Sequence, residues 1–380
     1  MKIAYISSIW FADVDMSYLC EAQKCMDITY FMIITNGKSV SCVNIEKAYP
    51  KSGLFPSDIY PELLKFKGCI DLSKTFIVNC NAKHSYGIGS VKPFLQLFSY
   101  LRNNHFDVIH ITGHLFFHNF FLYYFRKKMI YTVHDPINHS GYKNKMTYIT
   151  KKACIKLIPN LIVLNNAQVD EFIDCYSLSR KNIIVSRLSR YNVLNYITQE
   201  TTEYKNYILF FGTINPYKGL EYLFPAMKLL HEKHSDVALV VAGAGKYYFD
   251  ISEYKSLPYF RIINRFIEVA ELASLIKNSR FVVVPYVDAT QSGVIMSAFA
   301  FNKPCIVTNV GGLPEMVEDG IMGEVVPPKN IKALSEAMIR FIEQPQKLSE
   351  YSSNINKEYT DGYRSWKTIA NEMKVIYSSI

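Results

Sequence analysis

At 380 residues, with 49% apolar and 20% charged side chains, the chain exceeds one ordinary core and suits two α/β domains of about 150–200 residues each. Its net charge of +9 is lopsided: residues 1–190 hold 23 Lys and Arg against 13 Asp and Glu, and residues 191–380 hold 19 against 20. The eight cysteines form no C-x-x-C pair, which argues against a zinc or disulfide framework and for small buried residues in a reducing cytosol.

The chain opens on MKIAYISS, too short an apolar run for a signal peptide and read as a first strand. Further strands are expected at ITYFMIIT (28–35), TFIVN (75–79), DVIHIT (107–112), MIYTVH (129–134), LIVL (161–164) and NIIV (182–185), with 36–74 unassigned. HLFFHNFFLYYF (114–125) falls short of the roughly 20 residues that span a bilayer, so it reads as a buried helix, with shallow membrane contact as the other reading. Basic clusters follow at Arg126-Lys127-Lys128, from Lys143 to Lys152, and at Arg180, Lys181, Arg187 and Arg190. They suit either solvated helix faces or a surface facing anionic lipid or a phosphorylated acceptor, where each basic residue adds about 1 kcal/mol. No nucleic-acid motif accompanies them, so nucleic acid is not an expected partner.

TQETTEYKN (198–206) reads as a linker. The alternation then resumes with YILFFG (207–212), a helix over about 219–234, DVALVVAG (236–243), YFRII (259–263), a helix over about 269–279, FVVVPY (281–286), a helix over about 292–301 and PCIVTN (304–309). This predicts two Rossmann-like, doubly wound α/β domains facing across a cleft, with ligands at the C-terminal ends of the strands. The expected bounds are 1–197 for an acceptor domain, 198–355 for a nucleotide-sugar domain, and 356–380 for a C-terminal helix crossing back to the first.

Two loops carry chemistry. In FFGTINPYKGLEYL (210–223), Gly212 permits a tight turn after a strand, and Lys218 stands just before a helix, where its ammonium and the helix amides can meet one anion. In ATQSGVIMSAFAFNKPCIVTNVGGLPEMVEDG (289–320), Thr290, Gln291, Ser292 and Gly293 open a helix after a buried strand and offer amides and hydroxyls to phosphate without a metal. Gly311-Gly312 makes a second flexible turn ahead of Leu313-Pro314-Glu315. Each of the two loops and the glycine turn is alone compatible with an ordinary strand–helix connection; the three together suit a diphosphate site.

In this order FFGTINPYKG, LVVAGAG (239–245), INRFI (263–267), PYVDATQSGV (285–294) and GGLPEMVEDGIMGEVVPP (311–328) resemble the family-4 glycosyltransferases of the two-domain GT-B architecture. The resemblance is close over about 207–345 and looser before, where YTVHDP (131–136) is similar to the family's strand-end histidine motif. It implies sugar transfer from a nucleotide-diphosphate sugar to a glycan or lipid-linked acceptor, with retention and without a cofactor or catalytic metal. It places Lys218, Gly212, Thr213 and Thr290 to Gly293 on the donor diphosphate, Gly243, Arg265, Phe266 and Ser297 at the base and ribose, and His134 and Asp288 at the transferred sugar. His134 and Lys218 are then the catalytic candidates. Asp13, Asp15, Arg187 and Arg190 are candidates for the acceptor side. A surface-polysaccharide role, a cytoplasmic location and a peripheral place on the inner membrane face are further expectations.

The sequence also departs from the family. Thr213 stands where an arginine usually follows the glycine, and Ser297 where a glutamate usually holds the ribose. The glycine-rich loop after the first strand is absent, and SRLSRYN (186–192) replaces a His-Gly motif. These departures keep two alternatives open, a catalytically inactive binding protein and a sugar-nucleotide epimerase. Asp13-Val14-Asp15 looks like a metal-binding D-x-D, but it follows the first strand and suits helix capping or acceptor contact better. Gly243-Ala244-Gly245 lacks the third glycine and ribose acid of a dinucleotide loop.

Overall fold

The computed structural model describes residues 1–35, 41–43, 45, 52–82, 87–113, 122–134, 136, 145–180, 183–197 and 202–380. Residues 114–121 of the expected buried helix, Lys143, Lys181 and the start of the expected linker (198–201) lie outside them. The chain forms two compact units, Met1–Ser189 with Tyr363–Ile380, and Arg190–Gly362.

The first unit contains β1 (Lys2–Ser8), α1 (Ala12–Cys25), β2 (Asp27–Thr35), β3 (Gly53–Pro56), β4 (Thr75–Cys80), α2 (Val91–Asn103), β5 (Val108–Thr112), β6 (Met129–Val133), α3 (Lys145–Leu157), β7 (Asn160–Val163), α4 (Val169–Tyr176) and β8 (Ile183–Val185). Its sheet runs β3-β4-β2-β1-β5-β6-β7-β8 and is parallel throughout except for β3, which pairs antiparallel with β4. β1, β5 and β6 are buried along almost their whole length, as strands covered on both faces must be.

Side chains alternate between those faces. On one, Ala4, Ile6, Phe31, Ile111 and Val133 join Phe94 and Leu97 of α2 and Phe172 of α4 in a continuous apolar core. On the other, Tyr5, Tyr30 and His110 meet α1 and the last helix of the chain, α12 (Trp366–Ser378). That helix starts at Ser365, whose hydroxyl accepts from the Thr368 amide at 3.2 Å. It is held by Tyr377, whose hydroxyl lies 2.6 Å from His110 Nδ1 and 3.2 Å from the Tyr18 hydroxyl.

The second unit contains β9 (Tyr207–Phe211), α5 (Leu220–His231), β10 (Ala238–Ala242), α6 (Ser252–Ser256), β11 (Phe260–Ile263), α7 (Val269–Asn278), β12 (Val282–Val284), α8 (Gly293–Ala300), β13 (Cys305–Thr308), α9 (Leu313–Met316), β14 (Gly323–Val326), α10 (Ile331–Glu343) and α11 (Pro345–Thr360). Its sheet runs β11-β10-β9-β12-β13-β14, parallel throughout, and α10 packs on α5. The strand order reverses between β9 and β12, and at such a switch the loops leaving the two strand ends diverge and open a crevice.

Three elements differ from expectation. β3 and β14 were not foreseen: GLFP lies in the stretch 36–74 left unassigned, and GEVV opens on a glycine and a charged residue. The helix expected over about 356–378 is two helices. α11 ends at Thr360 and α12 begins after a break at 361–365, so the return to the first unit falls at Tyr363 rather than 356. Residues 190–197, expected to close the first domain, belong to the second unit, where the Tyr191 amide donates to Met296 O at 3.1 Å. Among the described residues, no helix is long and apolar enough to cross a membrane.

Candidate functional site

In the second unit, the two sequence-predicted loops come together at the ends of β9 and β12. β9 stops at Gly212, whose φ of 121° suits glycine. The Gly212 amide donates to Ala242 O at 3.0 Å, and a Cβ on Gly243 would sit 1.9 Å from Gly212 O. Gly243-Ala244-Gly245 thus serves close backbone packing. A turn over Pro216–Lys218 follows, and Gly219, with φ of 69°, leads into α5.

Lys218 is buried. Its ammonium donates to the Tyr286 hydroxyl at 2.5 Å, lies 3.9 Å from that ring's centroid and 5.0 Å from that of Tyr217, and is 4.0 Å from where a Gly212 Cβ would be. Burial pushes its pKa below the usual lysine range, opposed by the Tyr217 phenol. A buried cation at a glycine turn, just before a helix, is suited to an anion. Thr213, which replaces the usual arginine, is exposed, and its hydroxyl accepts from Asn215 Nδ2 at 3.1 Å.

After β12, the Thr290 and Ser292 side chains are buried and Gln291 and Asp288 half-buried. Gly312 N donates to Thr290 O at 3.2 Å, and Gly311, with φ of 50°, approaches Ala289 O so closely that a Cβ would lie 1.6 Å away. The second glycine turn therefore buttresses the first helix N-terminus. Ser292 hydrogen-bonds the Tyr286 hydroxyl at 3.5 Å, which links the two loops through one phenol. At Gly293 a Cβ would stand 3.1 Å from the Tyr191 hydroxyl, so Tyr191 covers the first turn of α8.

The residues expected at the base and ribose are more committed. The Ser297 hydroxyl donates back to Gly293 O at 2.9 Å, within its own helix. The Arg265 guanidinium grips Glu271 through two bonds of 2.7 and 2.8 Å, and its amide donates to Ile263 O at 3.1 Å. Phe266 beside it is exposed.

His134, Asp13 and Asp15 belong to the first unit. At the end of β6, His134 stacks on Phe11, centroids 4.0 Å apart and planes within 10°. Asp15 is buried and accepts from the Tyr5 hydroxyl at 2.7 Å and the Thr112 hydroxyl at 2.8 Å. Burial pushes its carboxyl up to about 7 despite those bonds. Asp13 accepts from the Cys42 amide at 2.5 Å, and burial pushes it up as well. The two carboxyls thus serve different partners within the fold and neither caps α1, whose N-cap is Phe11, which corrects the capping reading. Among the described residues, no group of three or more His, Cys, Asp and Glu could hold a metal. His110 is neutral, pushed down to about 3 by burial and the nearby His134, and its Nε2 lies 2.7 Å from the Thr132 hydroxyl. A cavity of about 40 Å³, lined by Asp15, His110, His134, Arg187 and Trp366 among others, has room for one or two waters.

Arg187 and Arg190, expected on the acceptor side, are structural clamps. Arg187 holds both Glu372 oxygens, at 2.7 and 2.9 Å, and lies 3.5 Å over the Tyr363 ring, which pins α12. Arg190 belongs to the second unit, where it donates to Asn302 Oδ1 at 2.9 Å and the Thr360 hydroxyl at 2.8 Å. Sequence reasoning missed Tyr286, Tyr191 and Phe11. Only Tyr286, directly after a strand-end proline, carried a positional signal.

The chain is thus a two-unit α/β protein, its sheets parallel but for β3, with two glycine-turn loops brought together at the switch of the second sheet. Residues 205–344, all within the second unit, match the family model of the glycosyl transferases group 1. A glycosyltransferase of Methanocaldococcus jannaschii is 31% identical over 173 residues, covering 45% of this chain and 44% of that protein. The chain thus spans about half the length of the curated relatives it matches. Sucrose-phosphate synthase of Thermosynechococcus elongatus shares the fold over 100% of this chain and 99% of its own, at 15% identity and a TM-score of 0.67. The Anabaena protein HepE, solved with UDP-glucose, covers 100% of both chains at 13% identity and a TM-score of 0.65.

Proposed function

We propose that the protein is a retaining glycosyltransferase that moves a sugar from a nucleotide-diphosphate sugar to a glycan or lipid-linked acceptor in surface-polysaccharide synthesis. The observation that carries this reading is the buried Lys218 ammonium, tied through Tyr286 to the helix-opening segment 290–293. Cleaving the anomeric bond leaves a diphosphate with added negative charge. Lys218 and the amides at the start of α8 stabilise that charge more in the transition state than in the bound donor, which is the condition for catalysis. His134, held by its stack on Phe11, is proposed to orient the transferred sugar.

A nucleotide-sugar panel, read by mass detection of transferred or hydrolysed sugar, tests the proposal. Lys218→Ala is expected to lower turnover by about 100-fold or more, in line with the loss of one charge-stabilising donor. Unchanged turnover would remove Lys218 from the mechanism. Since cationic side chains and amides supply the charge stabilisation, a chelator is expected to leave the rate unaltered; loss of activity restored by a divalent ion would contradict this.

Thr213 and the self-bonded Ser297 favour a second reading, a protein that binds a sugar nucleotide without turning it over. Any measured transfer disposes of it. Contact with an anionic membrane is proposed through Arg126, Lys127 and Lys128, which share a turn with the exposed Tyr123 and Tyr124. Binding to anionic vesicles should weaken as salt shortens the screening length, about 8–10 Å at physiological ionic strength.

A further inference from the structure

Tyr286 is buried, at 1% exposure, yet its hydroxyl is spent on two polar groups of the candidate site. It accepts from Lys218 Nζ at 2.5 Å and from the Ser292 hydroxyl at 3.5 Å, while the ring face lies 3.9 Å from the same ammonium. The backbone around it is clasped from three sides. Val287 N donates to Tyr217 O at 2.8 Å, the Thr308 hydroxyl donates to Tyr286 O at 2.5 Å, and Gly219 approaches so closely that a Cβ would lie 2.0 Å from Pro285 O. Residues 285–287 therefore form a brace between the loop that carries Lys218 and the loop that opens α8.

A lysine ammonium carries three rotatable donors on a flexible four-carbon stem, so its direction is set only by what it bonds. In this unit the phenol supplies both an acceptor and an aromatic face. We propose that Tyr286 is a positioning residue of the donor site: its hydroxyl fixes the Lys218 ammonium and couples it to Ser292, so that both halves of the diphosphate cradle are set before the ligand arrives. This rests on the reading of Lys218 as the diphosphate cation. It assigns to a tyrosine the ordering that a second cation at position 213 does not provide.

The experiment is a double-mutant cycle on the full chain. Binding of inorganic pyrophosphate and of a panel of nucleoside diphosphates is followed by calorimetry between pH 6.5 and 9.5. Tyr286→Phe keeps the ring and removes only the hydroxyl, and a thermal melt checks that it folds. It is expected to weaken binding about tenfold and to move the alkaline loss of binding to lower pH. Lys218→Met is expected to bind more weakly still and to abolish that alkaline limb. In the Lys218→Met background, Tyr286→Phe should have no further effect, because the phenol acts through the lysine. If the two losses instead add, or if Tyr286→Phe leaves affinity and pH limb unchanged while Lys218→Met weakens binding, the positioning role is overturned and the donor site stands. If Lys218→Met binds like the parent, the donor-site reading falls and the proposal with it.

Discussion

Gly243 and Gly320 both adopt a positive φ, 154° and 71°, but their surroundings differ completely. Nothing lies within 4 Å of a Cβ built on Gly320, whereas one on Gly243 would stand 1.9 Å from the carbonyl oxygen of Gly212. Gly320→Ala should therefore cost only the backbone preference, about 1 kcal/mol. Gly243→Ala must push two strand ends apart and is expected to cost about 3 kcal/mol or more, read by denaturant unfolding. Equal losses would mean that the close approach of β9 and β10 is not a constraint. Residue-scale legibility was uneven for a physical reason. The place of Lys218 just before a helix was legible because a glycine, a fixed spacing and a following helix all lie in one stretch of chain. The partners of Arg187 were not, because Glu372 and Tyr363 come from the far end of the sequence, and a charge cluster read locally looks like a solvated face.

At the scale of elements, the buried parallel strands were the easiest to read. β9, β10, β12 and β13 are short apolar runs bounded by polar or glycine-bearing turns, and burial on both faces demands that pattern. β3 (GLFP) ends on a proline within an irregular stretch and β14 (GEVV) mixes a glycine and a glutamate, so neither reads as a continuous apolar run, and their pairing is fixed by neighbours. The break between α11 and α12 was hidden because both helices have apolar faces of similar spacing. It shows only in the Ser365 cap and in the two sets of partners. The docking of α12 makes a clear forecast. Tyr377→Phe leaves the packing but removes the hydroxyl that bonds buried His110 and Tyr18, and it is expected to cost about 1–3 kcal/mol of stability. A melt indistinguishable from the parent would show that the apolar contacts of α12 suffice.

At the scale of the whole molecule, Asp15 and His110 make opposite demands on acid stability. Asp15 is raised to about 7, so between its unfolded value near 4 and pH 7 the folded chain holds the extra proton, and stability falls as pH rises. His110 is lowered to about 3, so between that value and its unfolded value near 6.5 the unfolded chain holds the extra proton, and stability falls as pH drops. Their slopes cancel between about pH 4 and 6.5. Asp15→Asn should unmask the histidine: on acidification from pH 7 to 4 the variant is expected to lose stability relative to the parent by up to ~1.4 kcal/mol per pH unit. Parallel unfolding midpoints for the two proteins across that range would refute the assignment.

The bond between Tyr18 and Tyr377 joins residues 359 positions apart, with the entire second unit between them. During translation this imposes an order. Residues 190–362 can collapse on contacts among themselves as they emerge, since domains fold as units. The sheet begun at Lys2 must wait, with His110 and Tyr18 lacking their Tyr377 partner, until Trp366–Ser378 leaves the ribosome. The unit begun first is thus closed only after the second unit has been made, and a nascent chain stalled before Trp366 leaves exposed the α1 face that α12 covers, apolar surface that a chaperone would have to shield.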